Sequence, residues 1–261
     1  MDLNRYTALI TGGSSSLGYE MAKQLLSLGA TVIIAAREGR RLDEAGERLS
    51  AFGDVHAVAM DVMSEESVDA ATKWVAASFE HLDMVVNNAG VGRNVPGMDG
   101  LPRDHKFYDI PVSAVKTIID TNFTGYYIVA SRFVPIMLRQ GRGSLVYVST
   151  SAATMTRPGQ IPYGPSKAGA EAMTAILDAE LHDMGIMVNI ICPGGFTDTN
   201  MSGTGDREFR LKNNMPILPP TVLNKVISFL ASPASAGIHG EKFIGNDFDR
   251  WLKERGIVFE N

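Results

Sequence analysis

Thr7-Ala-Leu-Ile-Thr11, followed by Gly12-Gly-Ser-Ser-Ser-Leu-Gly18 and then by Tyr19 to Leu28 with Gly29, is the stretch that decides the fold. Its first part is a short apolar strand. The glycine-rich part is a turn, and the rest has helical periodicity and stops at a glycine. The same alternation runs outward from it. Thr31 to Ala36 is a second strand rich in β-branched residues, Leu42 to Phe52 reads as helix, and Val55 to Val62 is a third strand. A helix from about Glu65 to Glu80 and a fourth strand from Asp83 to Asn87 follow. Strands alternating with helices predict an α/β chain: a doubly wound parallel sheet with helices on both faces and right-handed crossovers.

The second half keeps the pattern. Pro111 to Gln140 holds one long or broken helix, with Pro135 as the candidate kink. Leu145 to Ser149 is a strand, Tyr163 to Met184 a helix closed by Gly185, and Met187 to Cys192 another strand. Thr221 to Leu230 reads as helix and Lys242 to Ile244 as a short final strand. No repeat, low-complexity linker or boundary interrupts the chain, so residues 1–261 are expected to form a single domain. The long loops 92–111 and 194–220 follow the carboxyl ends of strands, where open α/β sheets bind ligands.

Composition narrows the function. The 261 residues are 45% hydrophobic and 20% charged, ordinary for a globular protein. A net charge of -5 offers no global support for a nucleic-acid partner, and Arg37, Arg40 and Arg41 are too mixed with acids to be a nucleic-acid tail. No apolar run is long enough to span a bilayer and the N-terminus lacks signal-peptide regions, so a soluble cytoplasmic protein is expected. Cys192 is the only cysteine, which excludes an internal disulfide, and it reads as a buried, inert thiol. His56, His81, His105, His182 and His239 show no metal-ligand spacing, so no metal is expected.

At the first strand–helix junction, Gly12 permits a positive φ and Gly18 lets the helix approach the sheet. The N–H groups of the first helical turn then face a pyrophosphate, with Ser14, Ser15 and Ser16 as further donors. No Gly-Lys-Ser/Thr follows, so this is not an ATP-type phosphate loop. The second strand ends Ala35-Ala36-Arg37. An NAD-selective site usually carries an acid there; an arginine suits a 2′-phosphate, so NADP is preferred, NAD remains open, and Arg37 as a plain surface residue is the alternative. Asp61, at the end of the third strand, either caps the next turn or accepts from the adenine amino group. In Asn87-Asn88-Ala89-Gly90, small residues permit backbone approach to the cofactor, and Asn87 can simply brace neighbouring strands.

Tyr163 and Lys167 lie one helical turn apart on one face. A phenol ordinarily titrates near about 10, and a neighbouring ammonium favours the phenolate. The glycine-rich turn, Asn87-Asn88-Ala89-Gly90, Tyr163-Gly-Pro-Ser-Lys167 and Pro193-Gly194 occur in the order of the classical short-chain dehydrogenase/reductase family, which the chain resembles over nearly its whole length. The resemblance implies a single Rossmann-like domain, a nicotinamide cofactor, and carbonyl/alcohol interconversion on a small molecule, commonly in a homotetramer or homodimer.

The resemblance also implies roles. Tyr163 looks like the acid–base residue and Lys167 like the group that lowers its pKa and binds the nicotinamide ribose. Asn122 resembles the asparagine that holds a proton-relay water; as a plain structural amide it would distort its helix. Cofactor contacts are implied at Gly12, Ser14, Ser15, Ser16, Leu17, Gly18, Arg37, Asp61, Val62, Asn88, Ala89 and Gly90. They continue at Tyr163, Lys167, Pro193, Gly194, Phe196 and Thr197. Two departures stand out. The family's usual serine, thirteen residues before the tyrosine, is Thr150, with Ser151 the alternative donor. The usual middle glycine of the turn is Ser16, whose Cβ would crowd the pyrophosphate unless its hydroxyl offsets that. In the loop after Pro193, Phe209 and Met215 either line an apolar pocket or belong to a surface helix. Arg207 and Arg210 are expected in solvent, and His105, with Arg103 and Lys106, is a minor candidate for substrate contact. The leading expectation is an NADP-preferring oxidoreductase. The alternatives are an NAD-linked sugar or polyol dehydrogenase of the same fold and a cofactor-binding redox sensor with little turnover.

Overall fold

A computed structural model of the protein describes residues 2–102, 104–201 and 205–260, the side chain of Asp206 excepted. Seven strands are present: β1 (Thr7–Thr11), β2 (Thr31–Ala36), β3 (Val55–Ala59), β4 (Met84–Asn87), β5 (Gly143–Val148), β6 (Ile186–Cys192) and β7 (Lys242–Ile244). They form one parallel sheet in the order β3-β2-β1-β4-β5-β6-β7. The order reverses between β1 and β4, and the crevice outside their carboxyl ends is where such sheets take ligands.

The helices are α1 (Ser16–Ser27), α2 (Arg40–Leu49), α3 (Glu65–Ser78), α4 (Val112–Ile119), α5 (Gly125–Gln140), α6 (Ala152–Thr156), α7 (Tyr163–Leu181), α8 (Asp206–Lys212), α9 (Asn224–Leu230) and α10 (Phe248–Glu254). Both faces of the sheet are covered. Ala8 and Ile10 pack with Met21 and Leu25 of α1 and with Phe229, Phe243 and Phe248. Leu9, pointing the other way along β1, packs with Val85, Tyr126, Phe133, Leu145 and Tyr147. Burial on both sides is why these strands read as continuous apolar runs. No helix among the described residues is long and apolar enough to cross a membrane.

Several boundaries differ from expectation. α1 begins at Ser16 rather than Tyr19, because the serine-rich turn winds directly into the helix. The long segment before β5 is broken by a π turn at Asp120–Thr124, not by Pro135, which lies inside α5. The break ends at Gly125, where a Cβ would lie 2.9 Å from Val62 Cγ2. Val62 therefore packs against the start of α5. The short helices α6 and α10 lie in segments that carry too little periodicity to read as helix, whereas α8 is the surface helix offered as one reading of Phe209. The loop between β4 and α4 has its own small core, in which Val95, Met98 and Ile110 pack on Ala114 and Ile118.

Candidate active site

The turn between β1 and α1 is built by close approach. At Gly12 (φ +66°) a Cβ would come 2.9 Å from Ala89 Cα, and at Gly18 one would lie 2.5 Å from both Asn88 Nδ2 and Gly12 O. Asn88 fills that space. Its Nδ2 donates to the carbonyls of Thr11 (2.8 Å) and Gly12 (3.3 Å), while Thr11 Oγ1 accepts from the N–H groups of Asn88 and Ala89, both at 2.9 Å. Asn88 and Ala89 thus hold the end of β4 against the turn. The N–H groups of the first turn of α1, which opens at Ser16, are the kind of donors that suit a pyrophosphate.

Ser16, in the place of the family's middle glycine, has φ +51°. This left-handed conformation explains the usual preference for glycine, since a side chain there costs on the order of 1–3 kcal/mol. Its Oγ accepts from the Asn200 N–H at 3.2 Å, so the hydroxyl ties the turn to the loop after β6. Ser16→Gly is expected to raise the melting temperature by a few degrees without weakening cofactor binding. Thermal melts with and without a nicotinamide cofactor check this; a loss of stability would mean the Asn200 contact outweighs the strain.

Arg37, at the end of β2, is exposed and makes no side-chain hydrogen bond or ion pair among the described residues. Asp61 Oδ1 accepts from the Met63 N–H at 3.0 Å, which makes it a turn cap. Leu17, in the first turn of α1, packs partly into the core.

At the carboxyl end of β5 the two serine candidates separate. Ser151 is the N-cap of α6, its Oγ accepting from the Thr154 N–H at 3.2 Å. The side chain of Thr150 faces Tyr163, the first residue of α7, closely enough to act on its phenol. Burial pushes the Tyr163 phenol up to about 12, against a downward pull from the Thr150 hydroxyl and a further upward push from the Cys192 thiol. Cys192 is itself buried and raised.

Lys167 shares a face with Tyr163 but is held by other elements. Its Nζ lies 6.0 Å from the Tyr163 ring centre and donates to Tyr126 Oη and to the Val148 carbonyl, each at 2.9 Å. Burial pushes it down to about 7, opposed by Glu171. Loss of hydration dominates at the Tyr163 phenol.

Asn122 sits fully buried in the π turn. Its Oδ1 accepts from the Val91 N–H (2.8 Å), and its Nδ2 donates to Val91 O (2.9 Å) and Ser166 Oγ (3.1 Å). The side chain therefore braces the β4 loop against α7. Gly90 joins these groups: a Cβ there would lie 3.2 Å from Asn122 Oδ1 and 3.6 Å from Lys167 Nζ.

Three groups with no sequence signal complete the site. Glu171, one turn beyond Lys167, accepts from Ser149 Oγ (2.6 Å) and pairs with Lys242. Lys242 also donates to the Thr150 carbonyl at 2.9 Å, so β7 and α7 together fix the segment that carries Thr150. Met201 folds from the loop after β6 onto the β4 loop; a Cβ at Gly92 would come 2.9 Å from its Cγ. These contacts join residues far apart in the chain, which no local pattern reveals.

Pro193 and Gly194 follow β6, and a Cβ on Gly194 (φ +89°) would overlap the Asn246 side chain. Phe196 lies under the Arg210 guanidinium at 4.3 Å, Thr197 is buried and bridges to Leu218, and Asp198 pairs with Arg207 at 3.2 Å. Phe209 and Met215 are exposed. His105 is buried in its own loop, Nδ1 contacting Pro102 O (2.8 Å) and Arg93 (3.2 Å), so it is not a substrate-facing group. Arg103 lies outside the described residues.

The profile of the short chain dehydrogenase family matches residues 6–208. The protein belongs to the short-chain dehydrogenase/reductase family and is an oxidoreductase of that family. It is 30% identical over 242 residues to the 3-oxoacyl-[acyl-carrier-protein] reductase FabG of Aquifex aeolicus, covering 90% of this chain and 93% of the relative. The corresponding FabG of Vibrio harveyi is 30% identical over 246 residues, 92% of this chain and 96% of the relative. Among solved structures, the 3-ketoacyl-(acyl-carrier-protein) reductase of Brucella melitensis complexed with NADH superimposes with a TM-score of 0.80 at 26% identity, over 93% of this chain and 97% of that one.

Proposed function

We propose that the protein is an NADP-preferring reductase that converts a small-molecule carbonyl to a secondary alcohol, with Tyr163 as the proton donor. The observation that carries this is the Thr150 side chain acting on the buried Tyr163 phenol, which is protonated at neutral pH, the form a general acid needs. A reduced nicotinamide, when bound, supplies the hydride. Thr150 would donate to the carbonyl oxygen and hold it against Tyr163. Lys167, Asn122 and Gly90 would shape the nicotinamide-ribose side, and Glu171 with Lys242 would hold Thr150 in place. In the reverse direction Tyr163 would take the alcohol proton.

The NADP preference rests on Arg37, an exposed guanidinium without a partner among the described residues, just after β2, where the 2′-phosphate would lie. Arg37→Ala is expected to weaken NADPH binding by about tenfold or more and NADH binding little, as loss of a charge-assisted hydrogen bond implies. Cofactor titrations check this, and equal losses for both cofactors would remove the preference. The relatives named above support a 3-oxoacyl thioester as the first substrate to test. A homotetramer or homodimer is part of this reading, supported by the exposed Tyr127 and Leu138 on α5 and Ile176 on α7. A cytoplasmic location is too, and a single free, buried thiol is compatible with it.

A further inference from the structure

We propose that Asp178, His182 and His239 form a binding site for a divalent cation of the zinc type, which fastens the end of α7 to the segment entering β7. Read along the chain, the histidines show no metal spacing; the fold supplies it. Asp178 and His182 are one helical turn apart on the same face. The turn before β7 brings in His239, and that turn is tied to β6 on both sides. Gly240 N–H donates to Val188 O at 2.8 Å, and Asn189 bonds both Ile238 O (2.9 Å) and the Glu241 N–H (3.1 Å).

One ligand atom from each of the three residues lies within 4.8 Å of the other two. Two imidazoles and one carboxylate are a donor set for zinc and its neighbours in the transition series. Asp178 Oδ1 and His239 Nδ1 are 2.9 Å apart, a separation that suits two ligands on one cation as well as a hydrogen bond. The two rings are stacked, 4.7 Å between centres and 3° from parallel. His182 Nδ1 faces the Asp178 carbonyl at 2.7 Å, and a carbonyl can only accept, so Nδ1 carries the proton and Nε2 keeps its lone pair. With bonds of about 2.0–2.1 Å, tetrahedral zinc ligands lie about 3.3 Å apart, so His182 must close in by roughly 1.5 Å. Both histidine side chains are 34% exposed and have room for that rotation. The backbone leaves the carboxylate open: a Cβ on Gly240 would come 2.8 Å from Asp178 Oδ2. The remaining acid nearby, Asp183, is exposed with Oδ1 3.3 Å from His182 Nε2 and is not among the three that converge, so water would complete the shell.

The site stands apart from the chemistry. Asp178 lies about 20 Å from Tyr163 along α7 at about 1.5 Å per residue. Its effect would be on stability, because it cross-links the end of α7 to the turn that enters β7.

The test uses the untagged full-length protein, stripped with chelator and titrated with cobalt and zinc ions. One equivalent of cobalt is expected to give visible absorption bands of a low-coordinate site. Zinc is expected to displace them and to raise the melting temperature. His182→Ala and His239→Ala should each weaken zinc binding at least tenfold, Asp178→Asn should do so while preserving side-chain size, and His56→Ala should leave binding unchanged. Carbonyl reduction should persist in all of these variants. Absence of cobalt bands in the wild-type protein would overturn the proposal, and so would wild-type zinc affinity in the histidine variants.

Discussion

Replacing Tyr163 by phenylalanine is expected to lower carbonyl reduction about 10²–10⁴-fold while NADPH binding stays within a few-fold of wild type. The ring that fills the site remains and only the proton donor is lost. The pH dependence sharpens this. Reduction requires protonated Tyr163, and burial raises that group to about 12, so its own titration leaves reduction unaffected through neutral pH. Alcohol oxidation requires the phenolate and is expected to climb with pH, by about tenfold per unit where that single group controls the rate. Lys167, pushed down to about 7, titrates in the neutral range. A positive charge near the nascent phenolate favours proton donation, so reduction should be faster below this titration than above it. Lys167→Met should remove that step. Steady-state rates in both directions across the pH range check the signs. A reduction rate that rises through neutral pH would contradict them.

Thr150→Val is expected to cost about 10²–10³ in turnover, the usual consequence of removing one hydrogen-bond donor from a reacting oxygen. The substitution nearly preserves shape, so the loss should appear in kcat more than in the melting temperature. Ser151→Ala should behave in the opposite way. Ser151 caps α6 through the Thr154 N–H, and losing such a cap costs about 1 kcal/mol of stability with little effect on turnover. The pair of variants separates a donor to substrate from a helix cap one residue along the chain. Full activity in Thr150→Val would return the role to another hydroxyl.

Much of this architecture was legible because parallel strands buried on both faces are continuous apolar runs, and glycine marks the turns between them. β1, β2 and β7 fall where the pattern puts them. The turn at Gly12 to Gly18 was readable because its glycines answer to local sterics: Asn88 and Ala89 leave no room for a Cβ. The π turn around Asn122 was not, since it has no periodicity of its own and depends on α5 docking against Val62. The direction of Lys167 was also hidden. Its spacing from Tyr163 predicts a shared face, but Tyr126 and Val148, from other elements, decide where the ammonium goes. Ser16 shows the same limit. A departure from glycine was visible, whereas its positive φ and its bond to Asn200 come from the path of a loop far along the chain.

The central claim is that Tyr163 donates a proton to a carbonyl oxygen as hydride reaches the adjacent carbon. The most direct measurement incubates the protein with stereospecifically deuterated NADPH and a set of 3-oxoacyl thioesters, ketones and aldehydes, and locates the label in the product. Deuterium is expected on the newly formed carbinol carbon with the wild-type protein and almost none with Tyr163→Phe under the same conditions. Labelled alcohol formed equally well by the Tyr163→Phe variant, with its cofactor binding intact, would contradict it.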